Sequence, residues 1–156
     1  MKTIFYFVFF VFLSGCAMME KSEPSERELT TIREIDKFSK TEIQNSITEW
    51  FATTYKDSRN VIKLNDRNAG TIVGTGSLSY VVGLGVTNAR YNIKIDIKDG
   101  RYRTNWNGFV YAPPSSASGK PVVLKQQVES IVIQVTDLEM RLYKFLSEKK
   151  SGTDDW

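Results

Sequence analysis

The stretch YNIKIDIKDGRYRTNW constrains the fold of this chain more than any other. Tyr91, Ile93, Ile95 and Ile97 alternate with Asn92, Lys94, Asp96 and Lys98 up to Asp99-Gly100, and an unbroken period of two ending in such a pair predicts an antiparallel hairpin with a two-residue turn. The turn sets the register. Lys98 then faces Arg101, Ile97 faces Tyr102, Asp96 faces Arg103, Ile95 faces Thr104 and Ile93 faces Trp106, so apolar pairs share one face and charges the other. A sheet built on this hairpin has one face to cover and one face wet.

Two segments can supply the cover. In SKTEIQNSITEWFATTYKD, Ile43, Ile47, Trp50, Phe51 and Tyr55 fall on one helical stripe. Ser39 and Glu42 form a capping box at its start, each satisfying an amide the helix leaves unpaired. In VVLKQQVESIVIQVTDLEMRLYKFLSEKK, Leu124, Val128, Ile131, Val135, Leu138, Leu142 and Phe145 keep to one side, which predicts one long helix. A strand at SIVIQV followed by a helix capped by Thr136 and Glu139 is the competing reading, because the run is β-branched.

Further strands are predicted at LTTIREID, at NVIKL and at TIVGTGSLSY, with NDRNAG as a turn between the last two. Gly74 and Gly76 share a strand face with Ile72 and Leu78, a pattern expected where a helix side chain such as Trp50 approaches the sheet. VVGLGVTNA and APPSSASGKP read as loops. The chain is therefore expected to be α+β in the order β-α-β-β-β-β-α. The helix ending in EWF, the run NVIKLNDRNAGTIVGTG and the hairpin YNIKIDIKDGRYR together resemble a bacterial domain of unknown function with a TATA-box-binding-protein-like (TBP-like) fold. The resemblance covers roughly residues 29–148. It implies a curved antiparallel sheet with helices on one face, and it brings no activity or functional residues with it.

The N-terminus carries a different message. Lys2, the uncharged run IFYFVFFVFL and the small pair Ser14-Gly15 have the parts of a secretory signal, and the run is too short to span a bilayer. LSGC resembles the lipobox of bacterial lipoproteins, which implies a signal peptide at 1–15, cleavage before Cys16 and a lipid on its sulfur. Ordinary secretory cleavage after Ala17 and a retained anchor helix are the alternatives. Two or more acyl chains hold a protein stably on a membrane. In such lipoproteins an aspartate after the cysteine retains the protein at the inner membrane, so Ala17 implies the outer membrane, facing the periplasm. Residues 16–28, rich in Glu, Ser and Lys, read as a disordered tether, and 149–156 as a frayed tail.

Composition removes most familiar chemistry. The chain has no histidine and one cysteine, so the usual zinc, haem and copper ligand sets and every histidine-dependent triad are missing. No metal site and no cofactor is expected. GTG at Gly74 to Gly76 and GLG at Gly83 to Gly85 complete no phosphate-binding fingerprint. Asp66, Asn68 and Gly70 open a calcium-loop pattern that Ser77 fails to close, and a turn is expected there. A net charge of +3 draws the whole chain to neither nucleic acid nor acidic lipid. What remains is a binding or structural module with a local basic face. That face comprises Lys94, Lys98, Arg101, Arg103 and Asn105, with Asn92 and Asn107 around Asp96, and it suits an anionic lipid headgroup, a glycan or an envelope protein. The alternatives are a plain solvated surface and a hydrolase using a carboxylate pair, such as one drawn from Asp96 and Asp99.

Overall fold

The structure, a computed structural model, describes residues 20–55, 61–112 and 119–151. Cys16, the signal segment and the last five residues lie outside them. The elements run β1 (Leu29–Glu34), α1 (Lys40–Thr54), β2 (Ile62–Asp66), β3 (Thr71–Val82), β4 (Gly85–Lys98), β5 (Arg101–Tyr111) and α2 (Lys125–Ser151). The strands form one antiparallel sheet in the order β1-β5-β4-β3-β2, the α+β arrangement expected of this chain.

The β4–β5 register is the one the alternation dictates, from Lys98 opposite Arg101 to Ile93 opposite Trp106. Ile93, Ile95, Ile97, Tyr102, Thr104 and Trp106 are buried beneath the helices. The strands run further than the sequence suggests. VVGLGVTNA is not a loop: Val81 pairs with Val86, and the chain turns within Gly83-Leu84. Gly83 takes φ +58°, the conformation a two-residue turn reserves for glycine at its first position. At the other end β5 continues past Trp106 through a bulge at Gly108, φ +66°, where the glycine supplies a left-handed residue without a Cβ clash.

The Asp99-Gly100 turn is held from outside. Only Gly100 of the pair has positive φ, at +71°. The Ile35 amide donates to the Gly100 carbonyl (2.7 Å), and the Gly100 amide donates to the Phe38 carbonyl (2.8 Å). The Lys40 amide, at the start of α1, donates to the Asp99 carboxylate (2.7 Å). A hairpin turn and a helix N-terminus thus fix each other.

Helix α1 begins with the Ser39–Glu42 capping box and buries Ile43, Ile47, Trp50 and Phe51. Helix α2 is one continuous helix, so the strand at SIVIQV is ruled out. About five turns of apolar side chains on one face outweigh local β propensity once a sheet is there to bury them. Its buried stripe is Val128, Ile131, Val135, Leu138, Leu142 and Leu146, with Phe145 only half-buried. The helix runs past 148, and Lys149 reaches Glu49 of α1.

Two further expectations change. The space above Gly74 and Gly76 serves Phe51 and Tyr91, not Trp50: a Cβ on Gly74 would lie 3.7 Å from the Phe51 ring, and one on Gly76 would overlap the Tyr91 phenol. Residues 20–28, read as tether, are seated on the domain. Lys21 bridges to Leu124, the Ser22 amide donates to the Val123 carbonyl (2.8 Å), and Ser22 is buried. A polar segment without aromatics can be ordered this way because it borrows backbone partners from a preformed neighbour. No helix among the described residues is long and apolar enough to cross a membrane.

Candidate functional site

Both helices lie on the same side of the sheet, which leaves its other side open. The side chains of Thr30, Ile32 and Glu34 on β1, of Arg101, Arg103 and Asn105 on β5, and of Lys94, Asp96 and Lys98 on β4 share this face through the strand register. Toward the Asp99-Gly100 end they surround a shallow depression of about 430 Å³, whose rim includes Lys94, Asp96, Lys98, Arg101 and Arg103 and whose apolar patch is Ile32. Four cations thus meet one carboxylate.

Asp96 is already occupied. Arg103 Nη2 lies 2.7 Å from one carboxylate oxygen and Lys94 Nζ 3.0 Å from the other. Partial burial pushes the Asp96 carboxyl up, but the hydrogen bonds and charges of Arg103 and Lys94 outweigh it and hold the group below its usual 3.8. Lys98 and Arg101 make no ion pair among the described residues. Asn105 stands apart. Its amide donates to Thr30 Oγ1 (2.8 Å) and its carbonyl oxygen accepts from Asn107, so it belongs to a polar ladder up the strands and not to the depression. Of the five residues expected on the basic face, four come together and one does not.

A second charged cluster lies on the covered face. Glu139 of α2 is 1% exposed. It accepts from Thr104 Oγ1 (2.8 Å), Trp106 Nε1 (3.2 Å) and Tyr102 OH (3.4 Å). Arg33 Nε is 3.9 Å away, and the Arg33 guanidinium also lies over the Tyr143 ring. Burial raises the Glu139 carboxyl above its ordinary 4.5, against the opposing pull of the three hydrogen bonds and the Arg33 charge. Nothing in a heptad-like pattern marks one of its polar positions as facing inward; Thr104 among the inward residues of β5 was the only available sign.

Asp96 and Glu139 sit on opposite sides of the sheet. A hydrolase needs its acid and base to converge on one bond, and Asp99 is committed to α1. Among the described residues no acidic group of three or more gathers as a metal site would require; Asp66 accepts from the Ala69 amide (2.9 Å) as a turn residue.

Comparison with known proteins agrees with the architecture. The family described as "Domain of unknown function (DUF4468) with TBP-like fold" matches residues 30–112. The fold is similar to that of a TBP-like protein from Parabacteroides distasonis, at 19% identity and TM-score 0.61, covering 76% of this chain and 91% of that one. It is equally similar to a DUF4468 family protein from Bacteroides ovatus, at 15% identity and TM-score 0.61, covering 81% and 90%. No curated protein matches the chain.

Proposed function

The chain belongs to the DUF4468 family, with its TBP-like fold, and from that premise we propose a lipid-anchored binding module of the cell envelope. In this reading Cys16 carries the lipid, the domain faces the periplasm from the outer membrane, and the open sheet face holds an anionic ligand. The observation that carries the binding role is the depression at the hairpin end, where Lys98 and Arg101 make no ion pair among the described residues beside the Asp96–Arg103–Lys94 group. Phosphate or carboxylate is the chemistry such a site takes, with arginine supplying paired donors and lysine a point charge. The ligand is a headgroup phosphate or an acidic glycan.

The test is binding of the purified protein to an acidic glycan and, separately, to vesicles containing phosphatidylglycerol, each compared with Arg101→Ala/Arg103→Ala. Affinity should fall at least tenfold in the double variant and weaken with salt, because the charges face water. The arm that shows the loss identifies the source of the anion. Equal binding by wild type and variant in both arms refutes the site.

A further inference from the structure

The end of the sheet opposite the basic depression is apolar and uncovered. The β3–β4 hairpin ends in Val81-Val82-Gly83-Leu84-Gly85-Val86; Leu84 is fully exposed, Val86 is 74% exposed and Val81 57%. Among the described residues the sheet offers no strand that covers them, since β2 pairs only with residues 71–74 of β3. A row of aliphatic side chains on a turn gains nothing from water.

The chain's own N-terminal segment comes in beside this tip. Glu20, Val81, Val82, Gly83, Leu124 and Lys125 line one groove, and the Lys125 amide donates to the Glu20 carbonyl (2.9 Å). Cys16 stands four residues before Glu20, a span of at most about 14 Å. We propose that the β3–β4 tip is a second membrane contact, seated in the bilayer interface next to the lipid on Cys16. The proposal rests on the lipidation reading for the anchor, while the tip itself is read from the structure. Aliphatic residues enter the headgroup and acyl boundary, and Lys120 at the border of the tip suits its anionic lipids, whereas Lys125 is already paired with Glu20 (3.0 Å). An anchor alone leaves the domain free to tumble; an anchor and a tip fix its orientation. Strand β4, 14 residues long, then rises roughly 45 Å from the membrane and carries the basic depression to its far end. That placement turns the depression away from the protein's own bilayer, so a headgroup bound there belongs to a facing membrane.

Fluorescence quenching by brominated lipids tests this on the full chain in phosphatidylethanolamine–phosphatidylglycerol vesicles. In Leu84→Trp the new tryptophan should be quenched, whereas in Asn68→Trp, in the exposed β2–β3 turn at the far end of the sheet, it should not, each after subtraction of the wild-type signal. A Leu84→Trp signal as unresponsive as that of Asn68→Trp, on protein bound to the vesicles, overturns the proposal while leaving the anchor intact. The anchor is judged separately by the mass of the mature chain. Without any lipid, Cys16→Ser should still sediment with vesicles weakly, and Leu84→Asp in that background should reduce the bound fraction about tenfold. No binding by Cys16→Ser overturns the tip even if Cys16 is lipidated. A dimer in vesicle-free solution that Leu84→Asp dissociates assigns the tip to a second copy and overturns it as well.

Discussion

Replacing Glu139 separates two roles that a buried carboxylate can play, acceptor and charge. Glu139→Leu removes the acceptor for Thr104 and Trp106 and strands two buried donors, with the Tyr102 hydroxyl, at 3.4 Å, a weaker third. Each stranded donor costs about 1–3 kcal/mol. Removing a poorly hydrated carboxylate returns part of this, so a net loss of about 2–4 kcal/mol is expected. Glu139→Gln keeps a carbonyl oxygen for Thr104 and Trp106 and should lose about 1 kcal/mol or less. The pH dependence follows from the raised pKa. The unfolded side chain titrates near 4.5 and the folded one above it, so the stabilising effect of proton binding is complete below the unfolded value and is lost as pH rises through the folded one. Over that window wild type should weaken relative to Glu139→Gln by about 1.4 kcal/mol per unit of separation between the two values. Urea unfolding read by tryptophan fluorescence at pH 4 and pH 8 gives all these differences. Equal losses for Leu and Gln, or a wild-type to Gln difference that does not move between the two pH values, would refute the reasoning.

Gly100→Val should destabilise the fold by about 1–3 kcal/mol, because φ +71° strains a β-branched residue although no atom crowds the site; thermal unfolding measures it. Gly76→Ala, in contrast, has an ordinary φ but sets its methyl on the Tyr91 ring, whose hydroxyl bonds Tyr55 (2.5 Å), and a loss of about 1–3 kcal/mol is expected in urea. Arg103→Ala should change stability by less than about 1 kcal/mol, since its pair with Asp96 is half exposed; a larger loss in the same assay contradicts the open face. Cys16→Ser should release the chain from membranes to a soluble or weakly bound fraction on cell fractionation, and full retention at unchanged mass counts against lipidation.

What the sequence made legible was whatever depends on neighbours a few residues apart. The Asp99-Gly100 turn, the five cross-strand pairs and the Ser39–Glu42 cap are local or follow from a local turn, and the structure has each of them. The length of β3 and β4 was hidden because Gly83 and Gly85 imitate a loop, although glycine is also what a tight hairpin tip needs. The seat of residues 20–28 was hidden for a different reason: its partners, Val123 and Leu124, are about a hundred residues away, and composition cannot see them. The basic side chains were legible as a set, since alternation puts them on one face. Ile32 in their midst was not, because the pairing of β1 with β5 leaves no trace in either strand alone.

That pairing also decides the order in which the fold comes together and apart. Strands β2 to β5 form a meander whose turns are short, so each strand can zip onto the one before it. β1 instead waits for β5: Thr30 and Asn105, joined side chain to side chain, are 75 positions apart, and closing a loop of that length costs entropy before any contact repays it. It is an edge strand with only one neighbour. Native-state hydrogen exchange should therefore find the β1 amides opening at lower free energy than those of β4. A pull on the N-terminus would load the Lys21–Leu124 bridge and then β1, peeling the first strand from an intact four-stranded meander, so that the domain can yield at its N-terminal edge and reseal without unfolding.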